Sequence, residues 1–198
     1  MPTSSHLVTT TAYFPPLEWF VAALASNEWR WEAKENYQKG GWRNRCMILS
    51  ANGPLRLSVP LLGGKHQQMP IQEVRIDRRT DWQRQHVQSI RSAYGRAPFF
   101  EHYGEEVLQL IDSDTDTLWE LNCKIAEGLL RLFGASIELL PTEVFRGGAA
   151  GAGYSTPPPL TSYPQVFADR FGYVGGLSVL DGLFCLGPEL AVLGLVQK

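Results

Sequence analysis

The sequence predicts an α/β protein in which one mixed β-sheet of about five or six strands packs against helices. Three observations lead to this prediction. Short runs rich in Val, Thr and aromatic residues lie between Gly, Pro and Asn turn signals in the first 77 residues, as is typical of strands. Beyond residue 80, apolar residues recur with the helical period. A chain of 198 residues, 44% of them hydrophobic, can bury the core of a single domain.

Each predicted strand is a short run that ends at a turn signal. Residues 6–13 stop before Pro15-Pro16, and Ala51-Asn52-Gly53-Pro54 predicts the turn of a β-hairpin. The run at 71–77 alternates apolar and charged residues imperfectly, which indicates a half-buried strand. The predicted strands are residues 6–13, 29–33, 46–49, 55–61, 71–77 and 137–144.

Helices are predicted where apolar residues with helical spacing follow a capping residue. The clearest signal begins at Thr117, because Thr117 and Glu120 match a capping box and an apolar stripe follows them to Leu132. Thr80 or Asp81 is expected to cap the helix that ends at residue 93. The other predicted helices are residues 17–24, 99–111 and 177–186, with a short helix in the last ten residues.

The chain is predicted to form one domain with a helical C-terminal tail. Residues 1–145 form the α/β core, and residues 162–198 are expected to be a helical part of the same domain. Between them, residues 146–161 contain a run of Gly and Ala followed by three prolines, which predicts a flexible segment. The run is followed by prolines and not by a helix start, so we expect no phosphate cradle there.

Composition excludes several classes of protein. The N-terminus lacks the order of a signal peptide and no apolar run reaches about 18 residues, so we expect a cytoplasmic protein without a membrane span. Three widely spaced cysteines argue against a disulfide framework and a zinc site. We expect no metal, and the sequence leaves the cofactor and the oligomeric state unknown. A pI of about 6.1 argues against nucleic-acid binding.

Charge is distributed unevenly along the chain. Residues 1–96 carry 13 Lys and Arg against 7 Asp and Glu, whereas residues 97–198 carry 5 against 13. Six arginines lie between Arg75 and Arg96, and a guanidinium group suits bidentate contact with phosphate or carboxylate. We therefore expect a phosphorylated or nucleotide-linked ligand. The alternative is a solvated basic face whose charges are balanced by the acidic residues between Glu101 and Glu120.

The segment from Glu35 to Cys46 has the composition of a functional site. It reads Glu-Asn-Tyr-Gln-Lys-Gly-Gly-Trp-Arg-Asn-Arg-Cys and combines acidic, basic, amide, aromatic and thiol side chains around a Gly-Gly pair. A loop that only joins two strands needs turn formers and solvent-compatible side chains. We therefore interpret this segment as a functional site or as part of the lining of one.

The order of these motifs resembles that of the WbqC-like family. The resemblance covers nearly the whole chain, although Thr10 and Thr11 stand where many members have Gln-Pro. The motifs that carry it are Tyr13-Phe14-Pro15-Pro16, Trp42-Arg43-Asn44-Arg45, Ala97-Pro98-Phe99-Phe100 and Leu177-Ser178-Val179-Leu180-Asp181.

This resemblance implies a role in the biosynthesis of bacterial surface polysaccharide, in particular O-antigen. In one interpretation the chain is a transferase that moves an aminoacyl or similar group to a nucleotide-linked amino sugar. The alternative is a non-catalytic binding or scaffold protein of polysaccharide assembly. The sequence leaves open whether the protein is an enzyme.

Ligands of open α/β sheets bind at the carboxyl ends of the strands. If the turn after the first strand and the 35–46 segment face one crevice, Glu35 would act as general base, Asn44 would orient the acceptor, and Arg43 or Arg45 would bind phosphate. The alternative is that the aromatic residues pack on the sheet and both arginines pair with carboxylates. The residues expected to converge are Tyr13, Glu35, Tyr37, Asn44 and Arg45.

A second group of candidates comes from reactive and aromatic side chains. Cys46 lies next to Arg45 and would be a nucleophile with His86 as its base. The alternatives are an inert buried cysteine and a packed histidine. Trp82 and Tyr94 would stack a base or sugar, or else belong to the core.

Overall fold

The fold is described by a computed structural model that covers residues 6–63, 69–145 and 154–193. Residues 146–153 of the predicted flexible segment and the last five residues of the predicted terminal helix lie outside these ranges. In chain order the elements are β1 (His6–Thr9), α1 (Leu17–Leu24), β2 (Glu28–Trp31), β3 (Arg45–Ser50), β4 (Gly53–Ser58), α2 (Trp82–Tyr94), α3 (Phe100–Ile111), α4 (Leu118–Leu132), β5 (Glu138–Pro141), α5 (Ala168–Phe171), α6 (Val179–Leu186) and α7 (Leu190–Leu193).

Three strands form a parallel sheet with β2 between β1 and β5. Helix α1 connects β1 to β2, because parallel neighbours need a crossover and not a tight turn. Thr9 lies opposite Trp31, which lies opposite Pro141. The three strands therefore end at the same edge of the sheet.

Strands β3 and β4 form an antiparallel hairpin, as the turn signal predicts. Gly53 begins β4 with a φ of +101°, which glycine adopts without strain. The hairpin does not join the parallel sheet, so the described residues form the predicted number of strands, five, in two sheets and not in one mixed sheet. The reason is that other groups cover the outer edge of β3: the N–H of Leu49 donates to the Tyr94 hydroxyl of α2 at 3.0 Å, and Met47 accepts from the N–H of Ser178 at 2.8 Å.

The run at 71–77 is not the strand that its alternation predicted. Ile71–Glu73 form one turn of 3₁₀ helix, and the following residues make isolated bridges to two different segments, Arg75 with Thr117 and Ile76 with Leu61. Ile71, Val74 and Ile76 are buried all the same. The alternation of apolar and charged residues at 71–77 therefore indicates which side chains are buried, but it does not indicate a continuous strand.

Helices α2, α3 and α4 confirm the helical half of the prediction. At the start of α4, the N–H of Glu120 donates to Oγ1 of Thr117 at 3.2 Å, and the N–H of Thr117 donates to the Glu120 carboxylate at 3.2 Å. The predicted capping box is therefore present. At the start of α2, Asp81 holds the N-cap position, but its side chain makes no capping hydrogen bond.

The C-terminal helices pack closely on α1. A Cβ atom at Gly182 of α6 would lie 2.6 Å from Cδ1 of Leu17, well inside van der Waals contact. Replacing Gly182 would therefore require the Leu17 and Leu190 side chains to move or the helices to separate.

A buried carboxylate ties the C-terminal part of the chain to α2. Asp181 of α6 is completely buried and accepts hydrogen bonds from Tyr94 at 2.9 Å, Tyr163 at 2.7 Å and Gln165 at 2.9 Å. Burial raises the pKa of Asp181, and the three donors oppose that rise. Tyr163 and helix α6 thus belong to the same buried core as α2.

The capping box gives a stability prediction. Thr117→Ala removes the acceptor for the Glu120 N–H, and we expect it to lower the free energy of unfolding by about 1 kcal/mol in urea denaturation. The matched control is Thr80→Ala, since Thr80 is exposed and precedes the N-cap of α2. Equal losses in the two variants would contradict the capping role of Thr117.

Candidate functional site

Polar side chains follow all three parallel strands at their carboxyl ends. Thr11 lies two residues beyond β1, Glu32 directly follows β2, and Thr142 directly follows β5. All three are buried. The Thr142 hydroxyl donates to Oε1 of Glu32 at 2.6 Å, which joins the ends of β2 and β5. This edge is where α/β sheets generally bind ligands.

A buried ion pair forms within the 35–46 segment. Nε of Arg43 donates to Oε1 of Glu35 at 2.7 Å, and a second guanidinium nitrogen pairs with Oε2. Glu35 is 2% exposed and Arg43 is 5% exposed. The phenol of Tyr154 donates to the same Oε2 at 2.9 Å. Taking such charges out of water costs several kcal/mol per ion, so the bidentate geometry and the third donor are needed to hold them.

The Gly-Gly pair of the segment makes room for this ion pair. A Cβ atom at Gly41 would lie 2.7 Å from Nη1 of Arg43. Gly40 has a φ of +95°, a conformation that L side chains rarely adopt. The two glycines therefore shape the backbone around the Arg43 guanidinium.

Asn122 of α4 connects the end of β1 to the ion-pair segment. Its Nδ2 donates to Oγ1 of Thr11 at 3.0 Å and to the backbone oxygen of Arg43 at 2.8 Å, so both amide protons are used. Its Oδ1 is buried and has no hydrogen-bond partner among the residues the structure describes. An unpaired buried acceptor costs about 1–3 kcal/mol, and such groups call for a functional or solvent partner.

Tyr37, Asn44 and Arg45 form a second polar group beside the ion pair. Tyr37 donates to Oδ1 of Asn44 at 3.2 Å, and Nδ2 of Asn44 donates to the backbone oxygen of Val59 at 2.9 Å. Burial raises the pKa of Tyr37, while the positive charges of Arg45 and Arg43 oppose that rise. The structure thus brings four predicted residues of this segment close together, namely Tyr37, Arg43, Asn44 and Arg45. Arg45 is half-buried, and its Nε has no partner in the described part of the chain.

Tyr13, Trp82 and His86 form a separate buried aromatic contact. The Tyr13 hydroxyl lies 2.8 Å from Nδ1 of His86, and the Trp82 ring packs edge-on against the His86 ring at 5.1 Å between centroids. Burial lowers the pKa of His86 to about 4, although a backbone hydrogen bond with Ser58 opposes the shift. The imidazole is therefore neutral at pH 7.

The backbone beside Tyr13 is strained and attached to the 35–46 segment. The N–H of Tyr13 donates to the backbone oxygen of Trp42 at 3.0 Å. Phe14 has a φ of +41°, the only positive φ of a non-glycine residue in the described ranges. Such a conformation costs about 1–3 kcal/mol and occurs often at ligand sites. This turn therefore holds Tyr13 near the candidate site.

Cys46 and Tyr94 lie in the core. Cys46 is completely buried, and burial raises the pKa of its thiol far above the ordinary value, so no thiolate forms at neutral pH. Tyr94 is also completely buried, and its hydroxyl links the N–H of Leu49 to Asp181. These positions favour the alternatives in which Cys46 is an inert buried cysteine and Tyr94 is a core residue.

The arginines between Arg75 and Arg96 lie on an exposed face of mixed charge. Most of them pair with a carboxylate. Except for Asp77, which is buried, the paired side chains are largely exposed, so those pairs contribute little stability. This arrangement favours the solvated face over a phosphate site. The pairs are Arg75 with Asp116, Arg78 with Asp114, Arg79 with Asp77, Arg84 with Asp81 and Arg91 with Glu105.

The described ranges contain neither a metal-binding cluster nor a membrane-spanning helix. Among residues 6–63, 69–145 and 154–193, no cluster of three His, Cys, Asp or Glu side chains has a metal-binding arrangement. Across the same ranges, no helix combines the length and apolar character that a bilayer crossing needs.

Sequence reasoning missed five residues of this region: Thr11, Glu32, Asn122, Thr142 and Tyr154. Asn122 could have been found from the sequence, because it is a single amide beside Leu121 on an otherwise apolar helix face. Tyr154 left none, because it lies in the stretch that was predicted to be flexible. Of that stretch, Tyr154 and the residues after it are described, and Tyr154 contacts Glu35.

These observations define an α/β protein with a buried polar site beside the carboxyl ends of a small parallel sheet. The chain belongs to the WbqC-like protein family, whose family model matches residues 11–148, more than half of the sequence. The matched range includes Glu35, Arg43 and Asn122, whereas Tyr154 lies beyond it. The comparisons with curated proteins and with solved structures gave no match.

The buried ion pair predicts a large mutational effect. Arg43→Met leaves the Glu35 carboxylate buried without its countercharge, and we expect a loss of about 3–5 kcal/mol in the free energy of unfolding. Arg84→Met is the matched control, because it breaks an exposed pair with Asp81 and should cost less than about 1 kcal/mol.

The double variant Glu35→Gln/Arg43→Met tests whether the cost of Arg43→Met comes from the unpaired charge. We expect the double variant to be more stable than Arg43→Met alone, because no buried charge is left without a partner. Losses that simply add in urea denaturation would contradict the pairing.

His86 predicts a pH dependence of stability. Its pKa is about 4 in the folded protein and about 6.5 when unfolded, so below pH 6.5 the unfolded chain binds a proton that the native state does not. His86 should therefore cost the native state about 2 kcal/mol between pH 6.5 and pH 5. His86→Asn, whose Oδ1 can accept from Tyr13, should lack this loss. Identical pH profiles in urea denaturation would contradict a buried neutral imidazole.

Proposed function

We propose that the chain is a cytoplasmic transferase of bacterial surface-polysaccharide (O-antigen) biosynthesis that moves an aminoacyl or similar group to a nucleotide-linked amino sugar. Membership of the WbqC-like family supports the polysaccharide context. The position of the polar groups, beside the carboxyl ends of parallel strands, supports small-molecule binding.

One observation carries the proposal: cationic, amide and phenolic groups lie together around Arg45. Arg43 is bound by Glu35, so Arg45 is the arginine of this segment whose guanidinium is left for an anionic ligand. No carboxylate pairs with Arg45 within the ranges that the structure describes. A half-buried guanidinium without a countercharge suits a phosphate group.

The roles in this proposal follow from the contacts. Arg45 binds the phosphate of the nucleotide, and Tyr37 and Asn44 orient the sugar through their linked side chains. Glu35 accepts the proton that the attacking amine must lose. His86 is the second candidate for the base, because it is neutral at pH 7 and its ring is held by Tyr13.

A second candidate function is the non-catalytic binding protein, and burial favours it. Glu35, Cys46 and His86 are each 5% exposed or less. A base that does not meet the substrate cannot take its proton unless another group transfers it. The two functions therefore differ in whether a proton path leads from the ligand to Glu35.

Ligand-induced stabilisation tests the position of the site. We expect UDP-glucosamine, which carries a free amine, to raise the melting temperature of the purified protein by several degrees, since a ligand at 100 times its Kd stabilises by about 2.7 kcal/mol. Arg45→Ala should lose this shift. Arg131→Ala is the control, because Arg131 is an exposed arginine in the last turn of α4 and should keep the shift.

A transfer assay separates the two functions. UDP-glucosamine and a glycyl thioester are incubated with the protein, and mass spectrometry detects glycyl-UDP-glucosamine. Product formation by the single purified chain rules out the non-catalytic function. Binding without product across a panel of amino sugars and acyl donors supports the binding protein, and an equal thermal shift in Arg45→Ala contradicts the proposed site.

A further inference from the structure

Among the described residues, one phenol contacts the buried Glu35 carboxylate. Its side-chain partners in the described residues are Arg43 and Tyr154. Arg43 is 5% exposed and its guanidinium offers hydrogen-bond donors only, so it has no acceptor for a substrate proton. Tyr154 is only partly buried and donates its proton to Oε2 of Glu35 at 2.9 Å. A hydroxyl both donates and accepts, so it can take a proton on one side and release one on the other.

The backbone next to Tyr154 is fixed to the sheet. The N–H of Ser155 donates to the backbone oxygen of Val8 at 2.7 Å, and the N–H of Val8 donates to Oγ of Ser155 at 3.0 Å. Val8 belongs to β1, one of the two edge strands of the parallel sheet. Because catalytic groups must be held in place by rigid elements, this two-way contact suits a residue that works at a defined distance from Glu35.

We propose that Tyr154 is a catalytic residue that transfers the proton of the attacking amine to Glu35. This inference rests on the proposed transferase function and adds the proton path that the buried carboxylate needs. It assigns chemistry to a residue outside the range that the family model matches.

The step balances for an amino sugar and an aminoacyl thioester. The amine nitrogen attacks the carbonyl carbon, and the new C–N bond forms. The ammonium proton passes to the Tyr154 oxygen while the Tyr154 proton passes to Oε2 of Glu35. The tetrahedral intermediate then collapses, the C–S bond breaks, and the sulfur leaves with the electron pair. The proton on Glu35 returns through the same phenol to the sulfur, which gives an amide and a thiol.

The environment of Tyr154 fits this concerted transfer. Burial and the neighbouring Glu35 carboxylate raise the pKa of the phenol above its ordinary value. The hydroxyl is therefore protonated at neutral pH, and the two protons move together without a free phenolate.

The test compares Tyr154→Phe with Tyr173→Phe. Tyr154→Phe keeps the ring and removes the hydroxyl, whereas Tyr173 is an exposed tyrosine of the same C-terminal part of the chain. With UDP-glucosamine and the glycyl thioester of N-acetylcysteamine as substrates, we expect Tyr154→Phe to lower kcat about 100-fold or more and to change KM less than about 2-fold. We expect Tyr173→Phe to match the wild type.

The outcomes distinguish the proton path from the function on which it rests. A folded Tyr154→Phe variant with kcat within about 3-fold of wild type overturns the role of Tyr154 and leaves the transferase standing. Wild-type protein that forms no product overturns both. If Tyr154→Phe does not fold, kcat of the wild type is measured in mixtures of H₂O and D₂O. A curved dependence on the deuterium fraction supports two moving protons, and a straight line overturns the relay.

Discussion

The buried ion pair between Glu35 and Arg43 is the constraint on which the rest of the site depends. Two charges that are 2% and 5% exposed persist only where each polar atom has a partner. Gly41 leaves space for the guanidinium, Asn122 binds the Arg43 backbone, and the Tyr154 phenol completes the carboxylate. Three distant parts of the chain are therefore held together around one pair.

The small sheet explains why these parts can meet. β1, β2 and β5 are four residues long and parallel, so the residues that follow them collect at one edge. Asn122 of α4 reaches Thr11 at the end of β1, and Thr142 joins the end of β5 to Glu32. The hairpin instead carries Arg45 at the start of β3. Residues that follow the parallel strands and a residue of the hairpin thus both contribute to the candidate site.

Local patterns could be predicted from the sequence, whereas the pairings could not. The capping box of α4 and the hairpin turn depend on residues within four positions of each other, and both are present. The composition of the 35–46 segment predicted a functional site there, but the Glu35–Arg43 pair depends on the path of the backbone and could not be predicted. Asn122 and Tyr154 lie 79 and 119 residues from their partners Arg43 and Glu35, so no local signal marks those contacts. The prediction of a strand at 71–77 was wrong for a related reason. Side chains can alternate between buried and exposed positions without pairing of the backbone to a neighbouring strand.

Thr11 fixes the orientation of the Asn122 amide. Its hydroxyl accepts one Nδ2 proton of Asn122, and the Arg43 carbonyl accepts the other. Only Oδ1 of the amide is left without a hydrogen-bond partner among the described residues. A ligand that contacts Asn122 here must therefore offer a hydrogen-bond donor, as an amine or a hydroxyl does.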